Sequence, residues 1–298
     1  MDTIKMFVQN CQSQHTAKNA AYRLNAFASW LEAQYHITDL EAVQVRHILA
    51  YKTNLASGAL QPVSQARALE TIRSFFRWCV EVGLLEKSPA EGVKSPRPEL
   101  NREPAYLETD EMKRLFDLVG QSRHGTRDLA MLWCLATGLR VGEVITLDVK
   151  DVVPPNGDGQ AWLQVHGKRS YARTIPLPGP AHTAILAHLV DLGDVAGDAP
   201  LFPSQWGQRM SRSTVQKWFA GLVESAGLDK SKGHPHAARH GAAMRWVYQS
   251  NTPGGIFTVS KMLGHQSLQT TQRYLHLGEQ GRRAMVSAIA NDPLCAVV

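Results

Sequence analysis

Three observations predict a mainly α-helical chain in two domains, the second of which also holds a small β-sheet. Apolar residues recur at helical spacing through most of the sequence, three prolines interrupt it within 96–104, and the stretch 161–177 alternates apolar and polar residues instead. At 298 residues, 44% of them hydrophobic and 19% charged, the chain is long enough for each of two domains to bury its own core.

The elements follow in order. Ala21, Leu24, Phe27, Ala28 and Leu31 define one helical face, with Trp30 beside it. Leu40, Val43, Val45, Ile48, Leu49 and Tyr51 predict a second helix, and Leu69, Ile72, Phe75, Phe76 and Val80 a third that ends near Gly83. No strand pattern occurs in residues 1–94, which form the first expected domain. Residues 95–105, with Pro96, Pro98 and Pro104 among charged neighbours, read as an extended linker, because proline blocks regular helix and the charges keep the segment solvated. The second domain, 106–298, opens on a helix near Thr109, whose hydroxyl can cap it ahead of Asp110 and Glu111 in the first turn. A buried helix over 128–136 follows. Then comes a β-hairpin with a basic tip at Gly167-Lys168-Arg169-Ser170, and helices at about 181–191, 211–226, 236–250 and 256–263, with one more around Tyr274.

Composition narrows the partners. The net charge of +6 suits a polyanion-binding protein without proving one. Residues 1–95 carry ten Lys and Arg against eight Asp and Glu, so basic charge is spread over both domains, as in a clamp gripping DNA from two sides. A mildly basic enzyme with no nucleic-acid partner remains open on charge alone. No run is long enough to span a membrane, and the start at Met1-Asp2-Thr3-Ile4-Lys5 lacks the pattern of a secretory signal. Cys11, Cys79, Cys134 and Cys295 are isolated, and are expected as reduced thiols in a cytoplasmic protein.

The chemistry-bearing residues cluster by type. Arg140 stands in Ala136-Thr137-Gly138-Leu139-Arg140-Val141-Gly142-Glu143, His236 and Arg239 in His236-Ala237-Ala238-Arg239-His240, and His265 in Leu263-Gly264-His265. Tyr274 comes nine residues after His265. A guanidinium stays protonated and presents a fork matching two phosphate oxygens, so Arg140 and Arg239 suit a phosphodiester. Cations placed in advance stabilise a pentavalent transition state more than the ground state. Glu143 lies one turn from Arg140 and can hold its fork, while His236 and Arg239, three residues apart, share a helix face. Each of these residues alone is more often a surface or core residue. His234, His236 and His240 also cluster, but no carboxylate or cysteine completes a metal-binding spacing, so no metal is expected.

In this order and spacing the set resembles the tyrosine recombinase (phage-integrase-like) family, in its Xer-like two-domain subgroup. The resemblance spans residues 15–280 and includes Lys168 ahead of Arg173-Thr174-Ile175-Pro176-Leu177. It implies an N-terminal core-binding, SAM-like domain and a mixed α/β catalytic domain. The implied catalytic residues are Arg140, Lys168, His236, Arg239, His265 and Tyr274, with Glu143 in support; Tyr274 attacks the phosphodiester and Lys168 protonates the leaving 5′ oxygen.

It further implies a 3′-phosphotyrosyl intermediate, a Holliday junction, and a tetramer on duplex DNA bearing an inverted-repeat site. A second recombinase or an accessory protein is a possible partner, no cofactor is required, and the expected location is the cytoplasm at the nucleoid. Arg67, Arg73, Arg77 and Arg169 are candidate DNA contacts, a solvated basic face being the competing reading for the first three. The tail from Arg282, with Ala284, Met285, Ala288 and Ile289 at helical spacing, resembles a segment that docks in trans on a neighbour.

Three departures stand out: Ala238 where the family usually has Leu, Gly241 where it has Ser or Thr, and an apparent insertion at Asn251-Thr252-Pro253-Gly254-Gly255. They leave the host process open between chromosome-dimer resolution and a mobile element. The chain also starts directly with the core-binding domain, with no arm-site domain expected before it. The rival readings are a type IB topoisomerase-like relaxing enzyme and a catalytically idle DNA-binding regulator.

Overall fold

The computed structural model describes residues 2–96, 104–122, 124–155, 157, 159–167, 172–249 and 255–264. Lys168, Arg169, His265, Tyr274, most of the proline-rich segment and the tail from Arg282 lie outside the described residues. The chain divides into two compact units, Met1–Arg102 and Glu103–Val298.

Helices build the first unit. α1 (Asp2–Gln9) is a short helix that the spacing argument missed. α2 (Gln14–Tyr35) begins where Ser13 Oγ accepts the Thr16 amide at 3.2 Å and ends at His36, in the left-handed conformation at φ 53°. α3 (Val45–Ser57) starts later than expected. Leu40 and Val43 belong to the preceding turn, where the Val43 amide donates to the Leu40 carbonyl, and Val45 and Leu49 are exposed. The apolar run 40–51 thus joins a turn to a helix whose buried side is His47, Ile48, Tyr51 and Leu55.

α4 (Pro62–Glu81) carries Pro62 in its first turn, where a missing N–H costs nothing, and Gly83 at φ 77° turns the chain away. Leu24, Phe27, Leu31, Ile48, Tyr51, Leu69, Ile72, Phe75 and Phe76 form the core, with Phe27 edge-on to Tyr51 and Phe76. Burying each such large side chain contributes about 1.5–3 kcal/mol.

The expected phosphate contacts on α4 divide. Arg67 and Arg77 are exposed and form no ion pair among the described residues. Arg73 is instead committed inside its own unit: it donates to the Val93 carbonyl and Ser95 Oγ at 3.0 Å each and pairs with Glu70. Its fork braces the end of the domain against α4, which sequence spacing alone could not indicate.

In the second unit, α5 (Thr109–Val119) is capped differently from the expectation. Glu108, not Thr109, precedes the helix, and Glu111 Oε2 reaches back to accept the Glu108 amide at 2.9 Å. α6 (Gly125–Ala136) buries seven of its twelve residues, and α7 (Val141–Val144) is a single turn. A three-stranded antiparallel sheet follows in the order β1 (Val152–Val153), β2 (Trp162–His166), β3 (Ala172–Pro176). The hairpin β2–β3 is the one that alternation predicts; β1 is too short to announce itself. Its register sets Leu163 opposite Ile175 and Val165 opposite Arg173, so Arg173 shares the buried apolar face.

α8 (Gly179–Leu192), α9 (Arg212–Ser225), α10 (Pro235–Gln249) and α11 (Gly255–Leu263) complete the unit. Leu115, Leu132, Leu135, Leu163, Ile175, Ile185, Phe202 and Phe219 are among the residues of its main core. No helix among the described residues is long and apolar enough to cross a membrane.

Gly241, where a hydroxyl residue was the family expectation, sits against the segment that enters this unit. The Leu107 amide donates to the Ala237 carbonyl at 3.1 Å, and a Cβ on Gly241 would collide with the Leu107 backbone carbonyl. Overpacking of this kind costs about 1–3 kcal/mol. Gly241→Ala is therefore expected to lower the thermal midpoint by roughly 2–4 °C per kcal/mol lost. An unchanged midpoint would mean that α10 and this segment separate freely.

Candidate active site

α6 positions the site. Its helix ends at Thr137, whose Oγ1 donates back to the Trp133 and Cys134 carbonyls, and the chain then reverses at Gly138, φ 79°. A Cβ there would lie 2.8 Å from Leu263 Cδ2, so both the backbone conformation and the close approach of α11 demand glycine. The reversal places Arg140 at the N-cap of α7 and Glu143 in its first turn.

Glu143 is the hub. Its Oε2 accepts the Arg140 amide at 2.7 Å and its Oε1 accepts Arg140 Nη1 at 2.9 Å, as the spacing suggested. The same two oxygens also accept Arg173 Nη1 and Nη2 at 2.9 Å each, a bidentate pair. Arg239 Nη1 lies 3.9 Å from Oε2. One carboxylate thus faces three guanidinium groups.

Those guanidiniums also grip the C-terminal end of α11. Arg173 Nε donates to the Met262 carbonyl at 2.9 Å, Arg239 Nη2 to the Leu263 carbonyl, and Arg140 Nη2 to the Gly264 carbonyl at 3.0 Å. Arg239 Nη1 donates in addition to the Gly138 carbonyl. The last carbonyls of a helix have no partner within it and carry partial negative charge, so cations belong there. Three consecutive carbonyls, each bonded by a different arginine, end immediately before His265 in the sequence.

The electrostatics follow from this geometry. Burial alone would raise the Glu143 pKa, but the hydrogen bonds and charge of Arg173, then those of Arg140, outweigh it and hold the group at about 2. A carboxylate depressed in this way contributes its full stabilisation above its unfolded pKa, loses it progressively as pH falls below that value, and has lost it once pH is below about 2. The site therefore keeps its one negative charge across all ordinary conditions.

His236, in the first turn of α10, reaches solvent with part of its side chain. Packing around the ring, and next the positive charges of Arg239 and Arg140, push its pKa below the ordinary imidazole value, which favours the neutral ring. His240 stands 5.0 Å away, edge-to-face, and burial together with His236 and His234 lowers it to about 4. His234 caps α10 instead, its Nδ1 accepting the Ala237 amide at 3.1 Å. Arg239 is 2% exposed, while the Arg140 side chain is 38% exposed and offers its edge to solvent.

The described residues thus bring Arg140, Glu143, His236 and Arg239 into one neighbourhood from α7 and α10. Arg173 joins them, and the sequence argument gave it no role. One signal was present: in the alternation of β3, Arg173 falls on the same side as Ile175, the apolar side, where an arginine needs a buried partner.

The phage integrase family model matches residues 105–280, and the model of the family's N-terminal SAM-like domain matches residues 4–83. The chain belongs to the phage integrase family. It is 36% identical over 276 residues to the tyrosine recombinase XerC of Salmonella typhi, covering 92% of this chain and 85% of that one. Over 259 residues it is 35% identical to the tyrosine recombinase XerC of Shigella flexneri serotype 5b, covering 86% and 80%. In fold it is similar to the XerH site-specific recombinase bound to palindromic difH substrate, with a TM-score of 0.73, 19% identity and coverage of 93% and 80%. This member of the phage integrase family is accordingly a site-specific tyrosine recombinase, with a SAM-like N-terminal domain ahead of the integrase catalytic domain.

Proposed function

We propose that the arginine cluster around Glu143 binds the scissile phosphate of a duplex recombination site, and that Tyr274 attacks it to form a 3′-phosphotyrosyl ester. The convergence of Arg140 and Arg239 on one carboxylate, beside a neutral His236 and directly before His265, carries this reading. Three guanidinium charges against one carboxylate leave the cluster positive, which suits an anion whose charge grows in the transition state.

A phenol loses its proton near pH 10, so attack at neutral pH needs an acceptor. A neutral imidazole supplies one, and His236 takes that role. His265 donates to a phosphate oxygen, and Lys168, from the hairpin tip, protonates the departing 5′ oxygen. The bond broken is stored as the tyrosyl ester. The free 5′ hydroxyl of a second strand then attacks that ester, joining the two strands and releasing Tyr274 as its phenol, so exchange requires neither ATP nor metal.

The partner on this reading is duplex DNA with inverted half-sites, gripped by both domains, with Arg67, Arg77 and Arg169 on phosphates outside the cut. The protein acts at the nucleoid as a tetramer through a Holliday junction, and the tail from Arg282 docks in trans. Cyclic head-to-tail contacts of this kind close a ring of four. A second recombinase or an accessory protein is the further partner that this assembly would accept.

The test begins by selecting the preferred duplex from a randomised pool with the protein itself. Two copies of that duplex are then placed on one supercoiled plasmid between distinguishable flanks. New joints between the flanks are expected. Relaxation of the plasmid without exchanged flanks would instead favour the topoisomerase-like alternative, and binding with neither outcome the idle regulator.

A further inference from the structure

We infer that Arg173 is a positioning residue for strand cleavage, tying β3, α7 and the end of α11 together through one guanidinium. The inference rests on the reading of the arginine cluster as the phosphate site and adds a residue to it.

The geometry is specific to arginine. Its two terminal nitrogens take both oxygens of Glu143 at 2.9 Å, and the remaining Nε takes the Met262 carbonyl at 2.9 Å. A planar fork with a third donor at its neck can meet all three acceptors at once, whereas an ammonium on a flexible stem meets them only by turns. The side chain is 8% exposed, so its acceptors replace water rather than compete with it. Gly264 completes the fit: a Cβ on it would lie 3.0–3.3 Å from the Arg173 guanidinium, and its φ of 63° also favours glycine.

What this clamp holds matters for the chemistry. Through Glu143 it fixes the carboxylate that orients Arg140 by both backbone and side chain. Through Met262 it fixes the stretch whose next carbonyls bind Arg239 and Arg140 and from which His265 follows in the chain. Through its own strand it is bound to the hairpin whose tip carries Lys168. Arg173 does not need to touch DNA to act. It sets the register between three elements that each supply a proposed catalytic group, and a misplacement of about 1 Å in such a site can cost about 10²-fold in rate.

The groups facing Glu143 are Arg140, Arg173 and Arg239, so losing Arg173 leaves both carboxylate oxygens bonded to Arg140 but no longer tied by a bidentate fork to β3. The loss should therefore appear in cleavage rather than in site binding.

The experiment uses the full chain and the selected duplex described above, nicked so that cleavage traps the adduct. Affinity is read by gel shift, single-turnover cleavage by adduct formation, and folding by thermal unfolding. Arg173→Ala is expected to cleave about 10²-fold more slowly with affinity within about 3-fold of wild type. Arg173→Lys keeps the charge and the strand, supplies the measurement if the alanine variant does not fold, and is expected to recover only part of the rate. Gly264→Ala, whose Cβ would crowd the same guanidinium, should reproduce the split between binding and cleavage. Cleavage by folded Arg173→Lys and Arg173→Ala at the wild-type rate would overturn the inference, as would equal losses of affinity and rate. Absence of any adduct with the wild-type protein would instead strike the reading of the site itself.

Discussion

Arg239→Ala is expected to slow strand cleavage by about 10²–10³-fold while changing site affinity only a few-fold, because a preplaced donor to developing oxyanion charge acts chiefly on the transition state. The side chain is 2% exposed and lies on the same α10 that presents His236 in its first turn. Its removal also deprives the Gly138 and Leu263 carbonyls of a donor, which carries a stability cost of about 1–3 kcal/mol. Thermal unfolding must therefore accompany the kinetics, and the rate loss should persist well below the variant's midpoint. Arg239→Lys, with the charge retained and the fork lost, should recover folding more fully than rate. Equal losses of binding and cleavage would make Arg239 an anchor for DNA and not a group that stabilises the transition state.

The parts of this molecule that sequence revealed are those whose signal is local. Arg140 and Glu143 are one turn apart, and the structure pairs them as that spacing suggests. The hairpin β2–β3 and helices α8 to α11 follow from alternation and periodicity, with ends shifted by one or two residues. Local signal also misled. The apolar run from Leu40 reads as helix, yet its first residues pack as a turn, because apolar burial does not require helical backbone.

What sequence could not reveal depends on distant partners. Arg73 looked like a basic surface residue until Val93 and Ser95 were found at its guanidinium. Arg173 stands 30 residues from Glu143 and 89 from Met262, and no periodicity links those positions. The requirement for glycine at 138, 241 and 264 likewise arises from neighbours brought close only by the fold. In each case the residue type was visible and its partner was not.

The central claim is that Tyr274 is the nucleophile served by the cluster around Glu143, and trapping the covalent intermediate tests it most directly. The wild-type protein, incubated with the selected duplex carrying a nick beside the expected cut, should yield a protein–DNA adduct that survives denaturing electrophoresis. Tyr274→Phe removes only the attacking oxygen, so it should bind the same duplex with wild-type affinity and form no adduct. An adduct of the phenylalanine variant as abundant as that of wild type would contradict the assignment, and would mean that another residue attacks the phosphate.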